Sequence, residues 1–155
     1  MLRIAALIAL TTLTACDDRE PAVARPGSYG ISGAFDADQR RLVMETEWFL
    51  HLSDDCFVLG RWAPGTTHFE RILGGALVDT GASIKGCPTM AGSQEQQVLE
   101  LDTSVIEIEG LVIQDPVLVA ACGADEQAPR VRLAQKADLE ALGGPYAEFV
   151  YLPIE

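Results

Sequence analysis

The sequence predicts an α+β domain: one main helix packed on a mostly antiparallel sheet, with a short second helix near the C-terminus. Three observations carry this expectation. Phe35-Asp36-Ala37-Asp38-Gln39 offers an apolar residue, an N-cap and a Gln three residues on, the signature of a helix start. Short apolar or alternating runs, broken by Gly, Pro and Asp, then fill most of the chain to residue 120. Finally, Gly143-Gly144-Pro145 reads as a helix stop.

The main helix is expected over 36–52, because Leu42, Val43, Thr46, Phe49 and Leu50 share one helical face opposite Arg40, Arg41, Glu45 and Glu47. Trp48 and His51 flank that stripe, and both Trp48 and Trp62 read as core residues. Cys56-Phe57-Val58-Leu59 is a short apolar strand. Arg71-Ile72-Leu73 and Ala76-Leu77-Val78 straddle Gly74-Gly75, which suggests a bulge or kink. Val98-Leu99-Glu100-Leu101 and Val105-Ile106-Glu107-Ile108-Glu109 alternate as half-exposed strands. Gly110 turns the chain into Leu111-Val112-Ile113, and Pro116 precedes Val117-Leu118-Val119-Ala120. A second helix is expected over 133–142, and Glu148-Phe149-Val150-Tyr151-Leu152 closes as a strand.

The N-terminus carries a different signal. Met1-Leu2-Arg3, an apolar run from Ile4 to Leu13, and Leu13-Thr14-Ala15-Cys16 have the layout of a secretory signal. An apolar run of that length is too short to span a bilayer, which needs about 20 residues. Leu13-Thr14-Ala15-Cys16 resembles the lipobox of bacterial lipoproteins. That resemblance implies cleavage before Cys16 and acylation of its thiol and new amino terminus. The expected organisation is a signal peptide over 1–15, a lipidated cysteine and flexible tether over 16–33, and one globular domain over 34–155. The tether follows from Pro, Gly and scattered charge with no apolar period. Asp17 resembles an inner-membrane retention signal, and inner versus outer membrane stays open.

Charge and cysteines narrow the class further. Cutting before Cys16 removes one positive charge, Arg3, and shifts the formal balance from −12 to −13. So acidic a chain is repelled by anionic lipid headgroups and by nucleic acid, which is excluded as a partner. With Cys16 acylated, Cys56, Cys87 and Cys122 remain, enough for one disulfide among three possible pairings. The turn-like settings Asp54-Asp55-Cys56 and Lys85-Gly86-Cys87-Pro88 favour Cys56–Cys87, with Cys122 buried after an apolar run. No pair shows the close Cys spacing of a zinc site, and neither metal nor cofactor is expected.

Ala76-Leu77-Val78-Asp79-Thr80-Gly81-Ala82-Ser83 resembles the active-site loop of aspartic proteases. That chemistry needs two facing carboxylates that share a proton. One complete motif occurs, since Asp102-Thr103-Ser104 lacks the glycine. The resemblance therefore implies a retropepsin-like homodimer with Asp79 as acid and base, and Thr80 and Gly81 orienting it. Ala141-Leu142-Gly143 stands at a spacing compatible with the supporting turn of that family. Two segments, 35–48 and 137–142, are similar to the first and last helices of matrixin-like zinc proteases, yet no H-E-x-x-H is present. His51-Leu52-Ser53-Asp54-Asp55-Cys56 collects a base, carboxylates and a thiol, and reads as a helix end followed by a turn. The leading expectation is a lipid-anchored, periplasm-facing lipoprotein. Its domain would be a non-catalytic module that meets another envelope protein through an apolar patch on the sheet. The homodimeric aspartic endopeptidase is the alternative.

Overall fold

The computed structural model describes residues 22–63, 65–89, 92–121, 129–139 and 143–153, side chains over 86–94 excepted. The ten strands are β1 (Gly27–Phe35), β2 (Trp48–Leu52), β3 (Cys56–Trp62), β4 (Phe69–Thr89), β5 (Gly92–Leu101), β6 (Val105–Ile108), β7 (Leu111–Gln114), β8 (Pro116–Ala120), β9 (Arg130–Gln135) and β10 (Tyr146–Leu152). Eight close into a barrel in the order β1-β10-β9-β8-β5-β4-β3-β2, every pairing antiparallel. The two remaining strands, β6 and β7, form a separate hairpin. The α+β expectation is thereby overturned: the fold is all-β.

Period-two alternation fills the interior. Trp48, Leu50 and Leu52 on β2 and Phe57 and Leu59 on β3 point inward with Tyr29, Leu118, Val131, Leu133 and Phe149, each at most 3 % exposed. The β6–β7 hairpin lies across one opening of the barrel, its inner face made of Ile106, Ile108, Leu111 and Ile113. Its outer face carries Val105, Glu107, Val112 and Gln114. The far end of the barrel is marked by Leu52, Cys56 and Ala120.

Both expected helices are corrected. Over 36–52 the Asp36 carboxylate accepts the backbone N–H of Asp38 and of Arg40, both at 2.9 Å, and Gln39 adopts φ 64°. The same Asp chemistry that caps a helix here closes a turn. Phe35 then bridges back to Arg41, and Leu42 N–H bonds Ala34 C=O. Val43, expected in the core, is 90 % exposed. The alternation Trp48-Phe49-Leu50-His51-Leu52 wins over the helical stripe. Over 133–142, strand β9 continues to Gln135 because Val131 and Leu133 alternate with Arg130 and Arg132. Among the described residues of that span, a 3₁₀ turn, Lys136–Asp138, is all that follows. The tether also ends early, since Gly27–Phe35 is the first barrel strand. The glycine pair 74–75 lies in an unbroken stretch of β4, and the register shift falls instead opposite Leu59 and Gly60.

The capping hairpin is locked by its turn. Glu109, at φ 47°, accepts hydrogen bonds from the Glu45 and Thr46 backbone N–H groups, the Thr46 hydroxyl and the Trp48 indole N–H, the last at 2.7 Å. Burial alone would raise its pKa. The bonds from Glu45, Trp48 and Thr46 outweigh that and hold the carboxyl below the ordinary glutamate value.

Because the folded pKa is lowered, this contribution is present above the ordinary glutamate pKa and is lost as pH falls through the folded value. Glu109→Gln should therefore destabilise by about 1–2 kcal/mol at neutral pH, the scale of charge-assisted hydrogen bonds. The deficit should shrink in acid. Denaturant midpoints at the two pH values check this, and a deficit that grows on acidification would contradict it.

Candidate functional site

The interior being full, chemistry and recognition fall to the outside. On β2 and β3 the residues between the core positions point outward, which puts Phe49, His51 and Trp62 on the surface. Phe69, the first residue of β4, pairs directly with Trp62. The three rings Phe49, Trp62 and Phe69 make mutual edge contacts, with centroids 5.7, 6.5 and 5.8 Å apart. Gly60 makes room for this cluster: a Cβ there would run into the Phe69 ring and the Glu70 carbonyl. Together with Leu152 of β10 these rings line an apolar groove of about 360 Å³ on the barrel wall. Trp62, Phe69 and Leu152 remain 36 %, 39 % and 38 % exposed.

One polar pair edges the groove. His51 Nδ1 lies 2.9 Å from the Ser28 hydroxyl. A Ser–His pair suggests nucleophilic chemistry, but among the described hydrogen bonds no third group orients His51, and Ser28 sits in paired strand.

The sequence-predicted residues fall elsewhere. Asp79, Thr80 and Gly81 lie within β4, at a register shift between Asp79 and Ser83, all three exposed. The Asp79 carboxylate accepts the Gly81 N–H at 2.9 Å and the Gln97 side-chain amide at 3.3 Å, with Gly81 at φ 79°. This is a carboxylate closing its own bulge. Asp102 lies just past the end of β5, its N–H bonded to the Ala76 carbonyl. Ala141, Leu142, Cys16 and Cys122 lie outside the described residues. Among the described residues no three His, Cys, Asp or Glu side chains are grouped to hold a metal ion. No helix among them is long and apolar enough to cross a membrane.

The Cys56–Cys87 bridge is corrected as well. Cys56 is a free, exposed thiol. Its hydroxyl neighbour is Ser53, at 2.7 Å, and its ladder partner is Ala76. Cys87 stands eleven residues further along the same strand, paired with Gln94. At about 3.3 Å per residue that is far beyond disulfide reach.

Sequence reasoning read Phe49 as a helix-face residue and Trp62 as core, and so missed the groove. The available signal was the Pro- and Gly-containing sequence between Trp62 and Phe69, two aromatics that the ladder sets opposite each other. No known family model matches the chain, and no characterised protein or solved structure is significantly similar to it.

Alkylation of the native protein should label Cys56 rapidly, and peptide mapping should find it unbridged. A disulfide-linked Cys56–Cys87 peptide would contradict the barrel register.

Proposed function

We propose that this chain is a lipid-anchored lipoprotein of the bacterial envelope that faces the periplasm. Its barrel acts as a non-catalytic binding module for another envelope protein. The anchor rests on the resemblance of Leu13-Thr14-Ala15-Cys16 to a lipobox behind a short apolar run. The binding role rests on one observation: an exposed triangle of aromatic rings lines a groove on a barrel whose interior is already filled. Aromatic side chains bury much area for little lost rotamer freedom, and they dominate the energetics of protein interfaces. The acidic chain disfavours nucleic acid and favours a partner whose contact face is apolar or basic.

Two experiments test the two halves. Cys16→Ser should release the protein from membranes or leave it unprocessed, and wild-type protein found wholly in the soluble fraction would reject the anchor. A photoreactive side chain at Leu152 should yield one discrete envelope adduct in intact cells. Trp62→Ala with Phe69→Ala should lower that yield by about tenfold, the scale of a lost hot spot. Circular dichroism should show the fold intact. An adduct of unchanged yield would reject the groove.

A further inference from the structure

The barrel has a second opening, and the chain ahead of β1 runs across it. In the closed order of eight, β1 and β5 stand four places apart, on opposite sides. Ala22 is seated on β5 by a parallel bridge to Gln96: its N–H bonds Glu95 C=O and its C=O accepts the Gln97 N–H, both at 2.8 Å. Gly27 then begins β1, opposite Leu52. Eight strands about 4.8 Å apart and tilted about 40° close at a diameter of roughly 16 Å. The chain from Ala22 to Gly27 reaches at most about 18 Å. The segment 22–26 therefore crosses the opening nearly extended.

Its side chains agree with a closing role. Ala22 and Ala24 are half-buried, Val23 and Arg25 are exposed, and Ala24 packs against the core. Tyr29, Leu52 and Phe57, at this end of the barrel, are buried. The Tyr29 hydroxyl donates to Arg25 C=O, and burial pushes its pKa up to about 12. The Arg25 guanidinium lies 4.8 Å from the centre of the Tyr151 ring. Gly27, at φ 143°, is the hinge, since a Cβ there would run into that ring.

One side chain secures the seat on β5. Gln97 shares the face of Leu99 and Leu101, which is the core face, so its amide lies at the opening. Its Oε1 accepts the Ala24 N–H at 3.0 Å, and its Nε2 donates to Asp79 Oδ2 at 3.3 Å. Asp79 stands at the register shift between Asp79 and Ser83, where its other oxygen accepts the Gly81 N–H. A carboxylate only accepts, so the Gln97 amide must turn its NH2 to Asp79 and its carbonyl to Ala24.

We infer that residues 22–26 are a strap that closes the second end of the barrel, and that Asp79, acting through Gln97, is the positioning residue that latches it. The latch is independent of the anchor and of the aromatic groove. It gives the Asp79-Thr80-Gly81 bulge a role that needs no second carboxylate. Among the described residues three hydrogen bonds join the strap to β5, so it opens locally while the barrel ladders stay paired.

Native-state amide exchange of the full chain, followed by NMR, reads the latch directly. The Ala22 and Ala24 amides should be protected and should exchange together, faster than the amides of β9 and β10. Asp79→Asn keeps an oxygen for the Gly81 N–H but turns an NH2 toward Gln97. The Gln97 amide then answers with its carbonyl, which sets donor against donor at Ala24. Both strap amides should exchange several-fold faster, with those of β9 and β10 unchanged. Adding Gln97→Glu places an acceptor on each side again, and protection should return to near the wild-type value. Unprotected Ala22 and Ala24 in the wild type would overturn the strap. The latch would be overturned by strap amides that Asp79→Asn leaves unchanged or speeds no more than those of β9 and β10, and equally by no recovery with Gln97→Glu.

Discussion

Closure of the sheet around a full interior is the constraint on which the rest of the structure depends. Eight strands make a barrel just wide enough for its own side chains, and here the last of that space is taken by the β6–β7 hairpin. Ile106, Ile108, Leu111 and Ile113 contribute about 1.5–3 kcal/mol each by burial. Where the eight strands close on one another, closure also removes the sheet edges that would invite aggregation. The aromatic rings that the core does not take lie on the wall, where Gly60 lets Phe69 lie down beside Trp62 and Phe49.

The barrel has two unlike ends. One is capped, acid-rich and tied shut by Glu109, whose carboxylate gathers four donors from the chain around Trp48. At the other, Ala22 bridges Gln96, and β4 and β5 run on past their other barrel partners, paired with each other from Lys85↔Glu95 to Thr89↔Gly92. Strand β4 links the two ends: it starts at Phe69 in the aromatic cluster and finishes at Thr89, paired with β5 alone.

Much of the strand content was legible in the sequence. The alternating runs around Val98, Val105, Leu111, Val117 and Phe149 are strands β5, β6, β7, β8 and β10, and Gly110 does turn β6 into β7. The errors share one physical cause. Asp36 captures backbone N–H groups whether the chain goes on into a helix or reverses, so its signature names the capped donors and not the element. Over 42–50 the apolar spacing fits a helical face, and over 48–52 it fits a strand. Only the non-local partners Gly30 and Gly60 of Phe49 decide between them. Asp79-Thr80-Gly81 resembles a catalytic loop in sequence, and the structure uses it as a bulge in β4, its carboxylate taken up by the Gly81 N–H. The groove was not legible, because it is assembled from β2, β3, β4 and β10 by closure.

The two tryptophans report on the central claim, a filled and capped barrel with an aromatic cluster on its outer wall. Trp48 is 3 % exposed, with its indole N–H on Glu109, and Trp62 is 36 % exposed on the groove. Hydrogen exchange of the two indole protons followed by NMR separates them directly. The account predicts one strongly protected indole, assigned to Trp48, and one fast-exchanging indole, assigned to Trp62. Two protected indoles would place Trp62 in the core, and two fast-exchanging ones would open the cap; either result would contradict the account.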